Sequence, residues 1–261
     1  MHLCARPLLP ELRCVLGRET AMQKMFWTDD GWLRLEGGGN LAGTEFTPAA
    51  LPEQRFPVRP ARDHFDAETL PIDYYAPRQS PAQFCDLTQR PGHLRIRGEE
   101  SLCSARRSAL IARKLDSLNR TITCRMEFTA SAYQHSAGLA LYYNNLNYIF
   151  FRKTFCTKQQ KEILLVTQIT NGVKHDFYEW SHTVEPGPLL LQLRISGHTL
   201  QWRYAPAGES FRNHGEAMDL SVLSDDYVKQ GQFTGTFVGM ACVDALCHSN
   251  TADFDFFEMA E

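Results

Sequence analysis

The chain has 261 residues, a formal charge of −3 at pH 7 and 43% hydrophobic residues, which is ordinary usage for a globular protein. The mild acidity argues against a nucleic-acid partner, and no apolar run reaches the roughly 18 residues that would predict a membrane span. The eight cysteines form no C-x-x-C pair, so the sequence predicts neither a zinc site nor a redox motif, and no cofactor is expected. Because residues 1–9 do not resemble a secretory signal, we expect reduced thiols and a cytoplasmic location.

The first fifty residues predict short strands with little core of their own. Residues 23–27 and 32–35 flank Asp29-Asp30-Gly31, which is typical of a tight turn between two strands. Two or three strands cannot bury enough surface to be stable alone. We therefore interpret residues 1–50 as a fragment of a larger domain, or as a segment that packs on the rest of the chain. Residues 51–62, which contain several prolines, are interpreted as a linker.

Residues 63–261 predict an antiparallel β-sandwich or barrel. Apolar residues alternate along residues 92–98 and 122–129, and Asn171-Gly172 is a strong hairpin signal because both positions tolerate positive φ. Further strands are predicted at residues 137–143, 148–151, 163–170, 173–180, 189–195, 199–204, 233–243 and 254–258, and one helical turn within residues 219–228. Short strands at this spacing are typical of sandwiches, and the lack of a fixed repeat after residue 60 argues against a propeller there.

Paired carboxylates are the groups that acid–base cleavage of a glycosidic bond requires. The candidates are Glu99-Glu100, interpreted as a solvated turn, and Asp225-Asp226, interpreted as a turn cap. Asp253 and Asp255 alternate with apolar residues on the last strand, which favours a solvent-exposed strand face, with a set of calcium ligands as the sharper alternative. No histidine motif, nucleophile motif or phosphate-binding loop is present. No catalytic residue and no metal site are predicted from these patterns.

Aromatic residues concentrate on one predicted hairpin. We interpret them as core packing between strands, with a carbohydrate-binding platform as the alternative. The residues concerned are Tyr142, Tyr143, Tyr148, Phe150 and Phe151.

Several segments occur in the order found in one known family. They are Phe65-Asp66, Leu87-Thr88-Gln89-Arg90-Pro91-Gly92, Leu223-Ser224-Asp225-Asp226-Tyr227, Phe233-Thr234-Gly235-Thr236-Phe237 and Ala252-Asp253-Phe254-Asp255-Phe256-Phe257. They resemble the C-terminal concanavalin A-like domain of glycoside hydrolase family 43 enzymes of the β-xylosidase type. Leu16-Gly17-Arg18-Glu19-Thr20-Ala21 and Asp29-Asp30-Gly31-Trp32 resemble the end of that family's five-bladed catalytic propeller. The resemblance implies a propeller remnant at 1–50, a linker at 51–62 and a jelly-roll-like sandwich at 63–261.

The resemblance also implies a function in the breakdown of xylo-oligosaccharides. Family members release xylose or arabinose by an inverting mechanism that uses three carboxylates. All three lie in earlier propeller blades, so we expect this chain to lack them and to be inactive alone. It would meet a xylo-oligosaccharide only in the context of a complete propeller. A complementing N-terminal propeller chain and further copies of this chain are the expected partners. The alternatives are a free-standing carbohydrate-binding sandwich and a purely structural or oligomerisation domain.

Two residues match family positions that face the sugar. Arg18 matches an arginine that reaches into the sugar pocket, and the fixed donors of a guanidinium suit hydroxyls or a carboxylate. Phe233 matches a loop aromatic residue of the sandwich that narrows the pocket. The alternatives are an ion pair between Arg18 and a propeller carboxylate, and simple packing for Phe233.

Overall fold

The computed structural model describes residues 1–45, 47, 52–56, 58–231 and 233–261. The predicted boundary between the N-terminal fragment and the linker, at residues 50 and 51, lies outside these described residues. Strands dominate the described chain, whose short helices are 3₁₀ turns at Pro81–Gln83, Tyr178–Trp180 and Leu220–Leu223. In the part of the chain that is described, no helix is long and apolar enough to cross a membrane.

The strands are short near the N-terminus and longer after residue 90. The first seven are β1 (His2–Cys4), β2 (Glu19–Ala21), β3 (Met25–Trp27), β4 (Leu33–Leu35), β5 (Arg62–Asp63), β6 (Cys85–Asp86) and β7 (Leu94–Arg97). The next six are β8 (Ala109–Lys114), β9 (Asn119–Glu127), β10 (His135–Asn144), β11 (Asn147–Cys156), β12 (Lys161–Thr170) and β13 (Val173–Asp176). The last six are β14 (His182–Thr183), β15 (Leu189–Ser196), β16 (Thr199–Pro206), β17 (Arg212–Asp219), β18 (Phe237–Asp244) and β19 (Thr251–Ala260).

Two large antiparallel sheets form a sandwich. The seven-stranded sheet has the order β13-β12-β11-β10-β18-β8, with β14 beside β12. The eight-stranded sheet has the order β17-β16-β15-β9-β19-β7-β6, with β5 beside β19. Apolar side chains from both sheets, such as Phe151 on β11 and Trp202 on β16, meet in one core. The predicted all-β antiparallel fold is confirmed.

Alternation identified the strands that bury one face. Leu94 and Ile96 on β7 are fully buried, as the pattern of residues 92–98 predicts. Asn171 and Gly172 join β12 to β13 with φ angles of 52° and 81°, so the predicted hairpin turn is confirmed. The predicted helical turn within residues 219–228 is the 3₁₀ turn Leu220–Leu223, which Asp219 caps by accepting a hydrogen bond from the backbone N–H of Ser221.

Several strand predictions differ from the structure, and β17 (Arg212–Asp219) was not predicted. β18 begins at Phe237 and not at residue 233, because residues 233–236 leave the sheet to contact the N-terminal segment. The strand predicted over residues 173–180 ends at Asp176 and continues as a 3₁₀ turn. β8 was missed because its residues do not alternate in polarity. Ala109 and Ile111 lie in the main core, whereas Leu110 and Ala112 lie in a second apolar cluster on the outer face.

The N-terminal segment divides into a buried part and an exposed part. Leu8, Val15 and Leu16 are buried in the main sandwich core. The pairs β1–β2 and β3–β4 form two separate two-stranded sheets. Part of the predicted fragment therefore packs on the sandwich, and the assignment of residues 1–50 to a propeller stays a prediction.

Candidate functional site

Two chain segments cross in contact near one end of β18. Gly17 and Gly235 have φ angles of 73° and 75°, a region that glycine enters without steric cost. A Cβ atom on Gly235 would lie 2.4 Å from the carbonyl oxygen of Leu16, so no side chain fits between the two backbones. The backbone N–H of Thr236 donates to the carbonyl of Val15 at 2.8 Å. This crossing, defined as residues 15–18 against 233–236, fixes the two segments relative to each other.

The two predicted site residues meet at this crossing. The guanidinium carbon of Arg18 lies 4.7 Å from the centre of the Phe233 ring, in a cation–π arrangement. The backbone N–H of Arg18 donates to the carbonyl of Phe233 at 3.3 Å, and Lys114 Nζ donates to the carbonyl of Arg18 at 3.3 Å. Phe233 is 57% exposed, and its φ of 57° is rare for an aromatic residue. The crossing therefore presents both side chains to solvent from a fixed backbone.

The carboxylates Asp225 and Asp226 hold the N-terminal segment against the sandwich. Asp225 is buried and accepts a 2.6 Å hydrogen bond from the hydroxyl of Tyr143, while its backbone N–H donates to the carbonyl of Cys14. Asp226 Oδ2 accepts from the backbone N–H of Cys14 at 2.9 Å. Burial, followed by the nearby charge of Asp225, raises the pKa of the Cys14 thiol. The two aspartates that were predicted to cap a turn instead join two segments that are distant in sequence. We call Asp225 and Asp226 the aspartate clamp.

Arg13 extends the same contact surface. Its guanidinium donates to Ser221 Oγ at 2.7 Å and lies 4.7 Å from the centre of the Tyr227 ring. Together with the aspartate clamp and the crossing, this places residues 13–18 against residues 219–228 and 233–236.

Glu99 is 1% exposed, so its interpretation as part of a solvated turn is wrong. Arg107 and Arg97 pair with its carboxylate at 2.7 Å and 3.2 Å, which compensates for its burial. Glu100 accepts a hydrogen bond from Ser104 Oγ at 2.5 Å. Each carboxylate therefore stabilises the loop in which it lies.

Asp253 and Asp255 lie among arginines and not on an open solvent-exposed strand face. Arg95 and Arg90 pair with Asp253 at 2.7 Å and 2.9 Å, and Arg125 pairs with Asp255 at 2.6 Å. Burial alone would raise the pKa of Asp253, but the hydrogen bonds from Arg95 and Arg90 outweigh it and lower that pKa. Guanidinium groups in these positions disfavour a calcium site, and in the described residues no cluster of His, Cys, Asp or Glu could hold a metal ion.

The aromatic hairpin packs inside the protein. Tyr143 and Phe151 belong to the main core, and the rings of Tyr142 and Tyr148 stack at 6.0 Å within the outer cluster. All five predicted aromatic residues are buried. The core-packing interpretation is confirmed, and the carbohydrate platform on this hairpin is wrong.

Sequence reasoning missed the glycines that build the crossing. Gly17 immediately precedes Arg18, and Gly235 follows Phe233 by two positions. A glycine beside each predicted site residue is a usable signal, because close backbone approach is one of the few roles that only glycine fills.

Comparison with known proteins assigns most of the chain to a known family. The family described as the β-xylosidase C-terminal concanavalin A-like domain matches residues 62–260. The chain belongs to this family and is the C-terminal portion of a glycoside hydrolase family 43 protein of the β-xylosidase type.

Individual relatives agree with this assignment. The β-xylosidase of Bacillus subtilis (strain 168) is 32% identical over 276 residues, which cover 100% of this chain and 51% of the relative. Xylosidase/arabinosidase 43B of Humicola insolens is 30% identical over 98% of this chain and 49% of its own length. The crystal structure of xylan β-1,4-xylosidase from Bacillus halodurans C-125 superposes with a TM-score of 0.93 at 37% identity and covers 100% of this chain and 50% of that one. The chain therefore spans about half the length of the curated relatives it matches.

Proposed function

We propose that this chain acts as the C-terminal half of a β-xylosidase or α-arabinofuranosidase that degrades xylo-oligosaccharides. The similar proteins named above include a β-xylosidase, a xylosidase/arabinosidase and a xylan β-1,4-xylosidase. In this proposal residues 1–50 are the end of a propeller, 51–62 a linker and 63–261 the sandwich that supports and closes the active site. The catalytic carboxylates come from propeller blades outside these residues.

The contact between Arg18 and Phe233 carries the proposal. Both side chains are exposed, both stand on the glycine crossing, and one belongs to each of the two proposed domains. Arg18 can donate several hydrogen bonds to sugar hydroxyls or to a carboxylate, because its planar guanidinium presents donors in a fixed geometry. Phe233 can exclude water from one side of a pocket and narrow its mouth. A substrate xylo-oligosaccharide would then bind between this crossing and a complete propeller.

Apolar side chains on β3, β4 and the turn between them are exposed. Their exposure supports the proposal that further propeller strands cover them. Trp27 is 72% exposed and Trp32 is 64% exposed, and Phe26 and Leu33 are also largely exposed. Trp27 and Leu33 lie opposite each other on the two strands, and exposed apolar side chains placed together are typical of an interface. Blades of a propeller that pair with these strands would cover it.

Candidate carboxylates of this chain are already bound by other side chains. This supports the proposal that the chain alone does not catalyse hydrolysis. Inverting glycosidases need two carboxyl groups that are free to face one bond from opposite sides. Glu99, Asp225 and Asp253 are buried and engaged by arginines or a tyrosine hydroxyl. This reasoning supports a complementing N-terminal chain as a partner. Assembly into a homo-oligomer stays a prediction, and so does a cytoplasmic location.

A chimera tests the roles of Arg18 and Phe233. The N-terminal half of the Bacillus halodurans xylosidase is fused to this chain in place of its own C-terminal half, and hydrolysis of a chromogenic β-xyloside is measured. We expect Arg18→Ala to lower kcat/KM by about a hundredfold, because a hydrogen bond that involves a charged group contributes about 1.5–3 kcal/mol. Phe233→Ala should raise KM more than it lowers kcat, because it removes enclosure rather than chemistry.

Arg194→Ala, an exposed arginine on β15, is the control and should leave the kinetics unchanged. If Arg18→Ala and Phe233→Ala match this control in a chimera that is active and folded, the proposed site is wrong.

A further inference from the structure

A cleft of about 770 Å³ lies on the outer face of the seven-stranded sheet, away from the Arg18–Phe233 crossing. Its floor is formed by outward residues of β10, β11 and β12, and its rim by the loops that flank these strands. Ser136, Thr154 and Ile163 form one cross-strand row of the floor, and Arg152 with Leu165 forms the next. We call this site the outer cleft. Its volume is within the range of sites that bind small ligands.

Arg152 is held in a fixed position in the floor. Its Nη1 donates to Ser136 Oγ at 2.7 Å and its Nε donates to Thr167 Oγ1 at 3.1 Å. Asp176 lies 3.5 Å from its Nη2 and also pairs with Lys174 at 2.7 Å. Because these partners come from three strands, β10, β12 and β13, the guanidinium needs no rearrangement when a ligand arrives, and little conformational entropy remains to be lost.

The outer cleft carries an excess of positive charge. Arg152, Lys158 and Lys174 line it, and among the described residues that line it none is a carboxylate. Asp176 beside the floor offsets one of the three charges. The remaining excess favours a ligand that carries a negative group.

Two exposed tyrosines add aromatic rings to the positively charged cleft. Tyr133 is 66% exposed and Tyr178 is 61% exposed, and both line the cleft. Tyrosine presents a rigid apolar ring with a polar hydroxyl, which suits ligands that have both C–H faces and hydroxyl groups. Sugar rings have both. Ile163 and Leu165 add an apolar patch to a floor that also carries the hydroxyls of Ser136 and Thr154.

We propose that the outer cleft binds an acidic oligosaccharide, with sugar rings against Tyr133 and Tyr178 and a carboxylate near Lys158 and Lys174. The site is separate from the crossing, because β18 runs from Phe237, beside the crossing, to Val243, which lines the cleft. At a rise of roughly 3.3 Å per residue this places the two sites about 20 Å apart. The proposal does not depend on the proposed function.

Titration calorimetry of the 261-residue chain tests the proposal with two probes of equal length. One is a xylo-oligosaccharide substituted with glucuronic acid, and the other is the unsubstituted xylo-oligosaccharide. We expect the acidic probe to bind about tenfold more tightly, because one carboxylate gains a charge-assisted hydrogen bond. The difference should shrink as salt is raised from about 0.05 M to about 0.5 M, since exposed charges are screened.

Three variants locate the binding. Tyr178→Ala and Tyr133→Ala should weaken both probes, whereas Lys158→Gln should weaken only the acidic probe. Lys161→Gln, an exposed lysine outside the lining, should bind both probes as the unmodified chain does. Thermal unfolding of every variant shows that it is folded, and a shift of the unfolding temperature by the acidic probe gives a second measure of binding.

Three outcomes would overturn the proposal. They are the absence of saturable binding by the folded chain, equal affinity for both probes, and affinities that the tyrosine and Lys158 variants leave unchanged. Because none of these measurements uses hydrolysis, an inactive chimera would leave this proposal standing, and failure here would leave the Arg18–Phe233 site standing.

Discussion

His214 on β17 shows how one buried residue links stability to pH. Its ring lies 4.7 Å from the ring of Phe151 and 5.0 Å from that of His182, and it is almost completely buried. Burial lowers the pKa of His214 to about 3, with a smaller contribution from His182. Burial also lowers the pKa of His182. Both imidazoles are therefore neutral in the folded protein near pH 7.

The sign of the pH dependence follows from these shifts. An unfolded histidine binds a proton near pH 6.5, whereas His214 in the folded state does not until about pH 3. The unfolded state therefore binds more protons between these values, and the free energy of unfolding falls as the pH is lowered through this window. The stabilisation is complete above about pH 6.5.

We predict a loss of about 2 kcal/mol from His214 between pH 7 and pH 5, at about 1.4 kcal/mol per pH unit below its unfolded pKa. His214→Phe should reduce this slope, because a ring that cannot be protonated fits the aromatic surroundings. Urea unfolding at several pH values measures the slope, and His198→Phe, at an exposed turn position, is the control. A His214→Phe slope equal to that of the unmodified chain would contradict the assignment.

At the scale of elements, alternation of polar and apolar residues predicted the strands that face solvent on one side. It gave no signal for a strand that is buried on both sides. β7 and β9 alternate because one face of each lies in the core. β8 and β10 do not alternate, because the outer apolar cluster covers their second face. β10 was still predicted, as part of a hairpin with β11, whereas β8 was missed. Burial on that face depends on a loop that carries Leu102, and no pattern within either strand encodes that contact.

The crossing was predictable in part. The family resemblance identified Arg18 and Phe233, but their contact depends on two segments at opposite ends of the chain. Gly17 and Gly235 were visible in the sequence, whereas the 2.4 Å approach that requires glycine is a tertiary property. The loop over residues 233–236 was predicted as a strand because its apolar residue and threonines favour one.

We predict that Gly235→Ala lowers the free energy of unfolding by more than Gly208→Ala does. Both positions have positive φ, 75° and 85°, so each substitution costs about 1–2 kcal/mol from backbone conformation. Only the Cβ at position 235 meets a neighbour, the carbonyl oxygen of Leu16, and Gly208 has open space around it. Chemical denaturation measures the difference. Equal losses for the two variants would show that the crossing is not closely packed in solution.

At the scale of the whole molecule, two features are the basis of the proposed partner that would complete the site. The chain spans about half of its curated relatives, and the tryptophans on the N-terminal strands are exposed. The segment that carries these strands is nevertheless anchored, because Val15 and Leu16 lie in the sandwich core. An anchored segment with an exposed apolar edge is suited to receive further strands.

Hydrolysis of a chromogenic β-xyloside by the purified 261-residue chain tests the proposed function directly. It is measured alone and after mixing with a separately produced N-terminal propeller half, with each half alone as the control. We expect no hydrolysis by either half and hydrolysis by the mixture, reduced by Arg18→Ala. Hydrolysis by the 261-residue chain alone would contradict the proposed function, because the carboxylates would then lie within these residues.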